Sequence, residues 1–136
     1  MSRSSVAPRT QQPGRWRTGP AMSFHLTERQ FVDGTKDVTR RVGWSQLKPG
    51  ARLRAVRKAM GLRKGEKQHV LGHIEVLSVR REPLCLIDQD DCRREGFPEM
   101  TPAEFVEMFC QANPCEPTQV ITRIEFRKVD APEGGL

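Results

Sequence analysis

The sequence GTKDVTRR occupies residues 34–41 and places a glycine, a lysine, two threonines and two arginines within eight positions. Gly34 is suited to end a preceding helix, because glycine adopts the left-handed backbone conformation at little steric cost. A regular strand would separate Lys36 from Thr39, since successive side chains point to opposite faces. We therefore expect a bend that brings the two together as the floor of a site for an anionic or polar ligand.

The residues before this stretch predict a strand and a short helix. Residues 23–26 alternate in polarity, which is typical of a strand. Thr27 and Gln30 have the spacing of a capping box, in which each side chain bonds the other residue's backbone. The helix that follows is expected to turn Phe31 and Val32 inward.

Three strands and two helices are predicted downstream. Residues 52–57, 70–79 and 120–126 are rich in apolar or alternating side chains, and Gly72 indicates a bulge or a close approach. Arg80 and Arg81 are expected to end the second of these strands. Asp88 and Thr101 have the positions of helix caps, which predicts helices over 88–94 and 101–111. Five or six strands at uneven spacing, with about three short flanking helices, predict a mixed α+β fold built on a small β-barrel.

Charge divides the chain into a basic middle segment and an acidic C-terminal segment. Residues 34–81 hold 13 basic and 3 acidic side chains, whereas residues 82–136 hold 5 basic and 12 acidic ones. Clustered cations concentrate anions such as nucleic acid, although a solvated basic surface explains the same pattern. The acidic half suits a basic protein partner.

The length of 136 residues is that of one domain. We expect residues 22–129 to fold and residues 130–136 to fray. Residues 1–21 are rich in Arg, Ser, Pro and Gly and hold little apolar area to offset chain entropy, which predicts a disordered arginine-rich tail.

Neither a metal, a cofactor nor a membrane is expected as a partner. The four cysteines form no Cys-x-x-Cys pair, and we interpret them as reduced thiols of a cytoplasmic protein. His69 and His73 lack the further ligands that zinc requires. The sequence has no apolar run near the roughly 20 residues that a membrane-spanning helix needs.

Several motifs together resemble the ASCH domain, a family of the PUA-like superfamily of small β-barrels. They are GTKDVTRR at 34–41, LKPG at 47–50, GHIEV at 72–76, EGF at 95–97 and TPAEF at 101–105, with a looser match at 119–126. The resemblance covers residues 23–127. It implies a PUA-like barrel of five or six strands, with a ligand cleft between the loop after the first helix and the helix that carries Glu95.

The resemblance also implies a function, namely recognition of RNA or of a modified nucleobase. Some members with a similar polar set hydrolyse N4-acylated cytidine, and Lys36, Thr39 and Glu95 stand at the matching positions. In that role Thr39 would be the nucleophile, Lys36 its base and Glu95 the acid that protonates the leaving amine. The same residues suit binding without turnover, so both hypotheses stay open.

For binding of RNA, a nucleoside or a nucleotide we predict a wider set of contacts. Base reading or stacking is assigned to Thr39, Trp44, Glu95 and Phe97. Few aromatic side chains are available and there is no tyrosine, which favours a one-nucleotide or backbone-dominated mode. A ribonuclease or a protein-interaction module is a third hypothesis. The predicted phosphate contacts are Lys36, Arg40, Arg41, Arg54, Arg57, Lys58, Arg63, Lys64 and Lys67.

Overall fold

A computed structural model describes residues 19–59 and 62–130. Most of the tail predicted at 1–21, and all but the first residue of that at 130–136, lie outside these ranges. Five strands of the described residues form one sheet in the order β1-β3-β4-β5-β2. Their bounds are β1 (Ala21–Ser23), β2 (Val38–Arg41), β3 (Arg52–Val56), β4 (Val70–Pro83) and β5 (Val120–Val129).

The sheet is open rather than closed into the predicted barrel. β1 pairs with β3 in parallel, and the other three pairs are antiparallel. Within residues 19–59 and 62–130, β1 and β2 lie at opposite edges, and no pairing joins them. The strand number and the mixed α+β class agree with the prediction, whereas the sheet does not close into a barrel.

In the described part of the chain three short helices accompany the sheet: α1 (Glu28–Val32), α2 (Gln89–Arg94) and α3 (Pro102–Ala112). Single 3-10 turns lie at His25–Thr27 and Leu84–Leu86. The predicted caps of α2 and α3 are confirmed. The Asp88 carboxylate accepts the Asp91 N–H at 2.8 Å, and both bonds of the box between Thr101 and Glu104 are present.

The prediction for residues 23–26 is wrong beyond Ser23. The chain leaves β1 at Phe24, whose ring is buried against Phe31 at a centroid distance of 4.7 Å, and the 3-10 turn follows. Thr27 makes no capping hydrogen bond. Val32 is 55% exposed, because α1 is five residues long and turns only Phe31 into the core.

β4 runs four residues beyond its predicted end. Arg80 and Arg81 continue the strand because β5 pairs with it as far as Pro83, and Arg81 donates to the Thr122 hydroxyl at 2.7 Å. Gly72 marks a close approach, since a Cβ there would lie 3.2 Å from the Phe31 ring. This contact seats α1 on the sheet.

Most buried apolar side chains of the described residues belong to one of two clusters. The first cluster joins α1 to the sheet and contains Met22, Phe24, Phe31, Leu53, Ala55, Ile74, Val76, Ile124 and Phe126. The second cluster packs α2 and α3 against the end of the paired strands β4 and β5 and contains Leu84, Ile87, Cys92, Phe105, Phe109 and Ile121. Polar side chains of β2 and α2 come together beside both clusters.

Candidate functional site

Lys36 and Glu95 form a buried ion pair. The Lys36 Nζ lies 2.6 Å from Glu95 Oε1 and also donates to the Glu95 main-chain carbonyl at 3.1 Å. Each residue is 3% exposed. A lone buried charge is strongly unfavourable, and each of these two charges compensates the other.

Backbone contacts fix this pair by joining the loop after α1 to the end of α2. Gly34 has φ +84° and turns the chain away from α1, as the sequence predicts. The N–H groups of Thr35 and Lys36 then donate to the Gln30 carbonyl, and the Asp37 N–H donates to the Arg94 carbonyl at 2.9 Å. The loop thereby satisfies a carbonyl that the C-terminus of α2 leaves without a helical partner.

Gly96 lets the two segments approach closely. Its φ is +101°, and a Cβ at this position would lie 2.7 Å from the Gln30 side chain. Glycine is thus required both by the backbone conformation and by the lack of space. The motif EGF at 95–97 therefore carries Glu95 for the ion pair and Gly96 for the contact.

Arg40 lies at the centre of a buried charge network. Its Nη2 contacts Asp91 at 2.6 Å and Glu82 at 2.9 Å, and its Nη1 contacts Glu95 at 3.4 Å. Arg123 contacts the same Asp91 carboxylate at 2.7 Å. Arg40, predicted to contact phosphate, has its two Nη atoms occupied by carboxylates.

Sequence reasoning missed Glu82, Asp91 and Arg123. In the sequence, Asp91 is accounted for by its favourable position in the first turn of α2, and alternation along residues 120–126 places Arg123 on the same face as Glu125. The pattern of β5 gives no sign that both of its faces are covered. Among buried side-chain N and O atoms of the described residues, Arg40 Nε alone lacks a hydrogen-bond partner.

Burial shifts the proton affinity of several of these groups. It lowers the pKa of Lys36 from its usual value, and the charge and hydrogen bond of Glu95 oppose the shift. Burial also lowers the pKa of Arg41 to about 10. For Asp91 burial acts in the opposite sense, but hydrogen bonds from Arg123 and Arg40 outweigh it and hold the pKa well below the usual range.

A cavity of about 300 Å³ opens onto the Lys36–Glu95 pair. Its polar lining includes Thr39, Arg40 and Arg41 from β2, and its apolar wall includes Phe24, Phe97 and Phe105. The volume lies at the small end of the range for ligand pockets, roughly 300–1,000 Å³. The cavity thus combines aromatic faces with a few convergent polar groups.

Thr39 and Arg41 are linked at this cavity. Thr39 is 3% exposed, and its hydroxyl accepts a hydrogen bond from Arg41 Nε at 3.1 Å. The Arg41 guanidinium carbon lies 4.9 Å from the centroid of the Phe24 ring. Lys36, Thr39 and Glu95 therefore line one cavity, although a strand alone would have separated the first two.

Other residues of the predicted binding set lie away from the cavity lining. Trp44 packs half-buried against the first cluster. Arg54 donates to Gln68 and to the Gly19 carbonyl, and Arg57 pairs with Glu28 at 2.8 Å. The remaining basic residues belong to the loop between β3 and β4: Lys58 is half-buried near Glu66, and Arg63, Lys64 and Lys67 are exposed.

Within residues 19–59 and 62–130, no group of three or more His, Cys, Asp or Glu side chains is arranged to hold a metal ion. No helix there is both long enough and apolar enough to cross a membrane.

Solved structures share this fold. A protein from Enterococcus faecalis, described by the family model DUF984, aligns with a TM-score of 0.56 and 18% identity over 88% of this chain and 76% of that one. An ASCH domain from Lactobacillus crispatus aligns with a TM-score of 0.56 and 15% identity over 80% of this chain and 78% of that one. The fold is ASCH-like.

A third structure, hypothetical protein PH0355, aligns with a TM-score of 0.54 and 16% identity over 80% of this chain and 95% of that one. No family model matches the chain, and no curated protein matches it. Identities of 15–18% carry the fold and not the chemistry. Function must therefore be argued from the site itself.

Proposed function

We propose that the cavity binds a nucleobase, free in a nucleoside or nucleotide or exposed in RNA, and that the Lys36–Glu95 pair reads its polar edge. The observation that carries the proposal is this buried ion pair at the floor of a cavity with aromatic walls. Protein sites recognise unstacked bases by stacking on aromatic faces and by hydrogen bonds to their edges.

The charges of the pair favour a binding role over a purely structural one. A buried ion pair is weak evidence for stability, because well-packed apolar residues often replace it at no cost. Lys36 offers hydrogen-bond donors and Glu95 offers acceptors, the two kinds of group that a base edge displays. The small volume favours one base over an extended strand.

Calorimetric titration with a panel of nucleosides, including N4-acetylcytidine, tests this proposal. At least one nucleoside should bind, and Lys36→Met should weaken it by about tenfold or more, because a hydrogen bond to a charged group contributes roughly 1.5–3 kcal/mol. Glu75→Gln is the matched control, since Glu75 pairs with Arg127 far from the cavity lining. A panel with no binder at millimolar concentration would refute the proposal.

A second candidate function is hydrolysis of N4-acylcytidine or a related amide. The observation that favours it is that burial lowers the pKa of Lys36 in a cavity shared with the Thr39 hydroxyl. Proton transfer from Lys36 Nζ to the Glu95 carboxylate would first leave a neutral amine and a carboxylic acid. Thr39 Oγ would then attack the acyl carbon while its proton passes to Lys36, and Glu95 would protonate the departing amine. Water then releases the acid from Thr39.

Release of cytidine from N4-acetylcytidine measures this second function. Turnover should be present in the unaltered protein and lost in both Lys36→Ala and Thr39→Val. Binding without release, or equal release by the Lys36→Ala variant, would leave recognition as the sole role of the cavity.

A further inference from the structure

We propose that the ligand of this cavity carries one acid group, a carboxylate or a phosphate, which pairs with the guanidinium of Arg41. This inference rests on the function proposed above and names the chemical class of the ligand: a planar base that bears one acid group.

The charges around the cavity do not balance. Four cations and three carboxylates lie in the described part of this region: Lys36, Arg40, Arg41 and Arg123 against Glu82, Asp91 and Glu95. All three carboxylates contact a cation other than Arg41, and Glu82 is also shared with the exposed Arg80. One positive charge at the cavity is therefore left without an ion-pair partner.

Arg41 carries this surplus charge. Within residues 19–59 and 62–130 its side chain donates one hydrogen bond, from Nε to the Thr39 hydroxyl, so its two Nη groups contact no hydrogen-bond acceptor there. The guanidinium carbon lies over the Phe24 ring, 4.9 Å from its centroid, and this cation–π contact restrains the position of the guanidinium. The free edge of a fixed guanidinium matches the two oxygens of a carboxylate or phosphate.

The surroundings make this cation unfavourable without an anionic partner. Burial lowers the pKa of Arg41 to about 10, and the charge of Glu95 opposes this only in part. Both oxygens of Glu95 are already in contact with Lys36 and Arg40. An acid group on the ligand would compensate Arg41, whereas a neutral ligand would cover it and leave it unpaired.

Two pairs of probes test the inference by calorimetric titration at pH 8 and low salt. The first pair is cytidine and cytidine 5′-monophosphate, and the second is uracil and its 6-carboxylate, orotate. The acidic member of at least one pair should bind about tenfold or more tightly than the neutral member, since charge-assisted bidentate bonds are among the strongest. The pair that responds shows whether the acid lies on the sugar or on the ring.

Variants assign the preference to Arg41. Arg41→Met should reduce the preference to within about twofold, while Arg127→Met, which removes an exposed charge elsewhere, should leave it intact. Thermal unfolding verifies that both variants fold. If Arg41→Met does not fold, Arg41→Lys decides: it should bind the acidic probe with an intermediate preference, because an ammonium cannot form the bidentate contact.

The outcomes separate this inference from the function on which it rests. Equal binding of acidic and neutral probes overturns the inference and leaves base recognition standing. Loss of the preference in Arg127→Met as well assigns it to the general field of the protein and also overturns the inference. Failure of all four probes to bind overturns the inference, and base recognition is refuted with it if the nucleoside panel also contains no binder.

Discussion

At the residue scale, Arg40 shows how a basic residue of the motif can serve the interior. Its guanidinium contacts Glu82, Asp91 and Glu95, and its Nε has no hydrogen-bond partner among the described residues. A guanidinium committed to carboxylates is not available to a phosphate backbone. Arg41, the next residue, keeps its Nη groups at the cavity.

The network around Arg40 predicts a pH dependence of stability through Asp91. The pKa of Asp91 is lower in the folded chain than in the unfolded one, so Asp91 contributes its full stabilisation above its unfolded pKa, near 4. The contribution is lost as the pH falls through the folded pKa. Urea unfolding between about pH 6 and pH 2 should therefore show a steeper loss of stability in the unaltered protein than in Asp91→Asn.

At pH 7 the Asp91→Asn variant should be less stable by about 3–5 kcal/mol, because it leaves two buried guanidinium groups poorly compensated. The control is Glu75→Gln at an exposed pair, which should cost about 1 kcal/mol or less. Identical pH profiles for the Asp91→Asn variant and the unaltered protein would contradict the assigned role of Asp91.

At the element scale, the end of α2 and the loop after α1 act as one unit. Gly96 packs on Gln30, Asp37 binds the Arg94 carbonyl, and the Arg94 side chain pairs with the Asp37 carboxylate at 3.0 Å. The two segments of the motif are far apart in sequence, and each supplies a contact that the other needs. The position of Glu95 relative to Lys36 depends on this unit.

Gly96→Ala should therefore disturb both stability and the site. An alanine there combines a positive φ, which costs roughly 1–2 kcal/mol, with a contact of 2.7 Å to Gln30. The matched control is Gly65→Ala, where φ is +81° and nothing lies within 4 Å of the added Cβ. Urea unfolding measures the loss of stability in each variant, and the difference between them is the steric contribution of the contact with Gln30. Equal losses would show that this steric contribution is absent.

The elements differ in how far the sequence predicts them. The caps of α2 and α3 are local signals, and both formed as predicted. Thr27 has the same spacing with Gln30 yet does not cap α1, because its helix follows directly from a 3-10 turn. The predicted length of β4 was too short, because the strand that extends it by pairing, β5, lies some 40 positions away in the sequence.

At the scale of the whole molecule, the sequence predicts one part of the site and misses another. The proximity of Lys36 and Glu95 came from the resemblance of the motifs, not from periodicity. The network of Glu82, Asp91 and Arg123 has no local signal, since it depends on which strand is covered on both faces. The prediction that the sheet closes was wrong for the same reason, because pairing between edge strands depends on tertiary packing.

The exposed basic residues of the loop between β3 and β4, Arg63, Lys64 and Lys67, lie outside the cavity lining. If RNA follows this surface, as the sequence predicts, a variant with Arg63→Gln, Lys64→Gln and Lys67→Gln should lower the salt slope of single-stranded RNA binding by about 2 units, roughly 0.7 for each lost phosphate contact. The charge-preserving variant Arg63→Lys, Lys64→Arg, Lys67→Arg is the control. An unchanged slope in the neutral variant would remove this loop from the RNA-binding surface.

The ion pair between Lys36 and Glu95 joins residues 59 positions apart, and the pair between Arg40 and Asp91 spans 51. Closing loops of this length costs chain entropy before the contacts form, and such non-local contacts are slow to form. The capping box of α3, by contrast, spans three positions. During refolding, the spectroscopic signal of the helices should therefore return before ligand binding does. After cleavage of the chain between α1 and α2, neither fragment alone should bind the ligand, because Lys36 and Glu95 lie on different fragments.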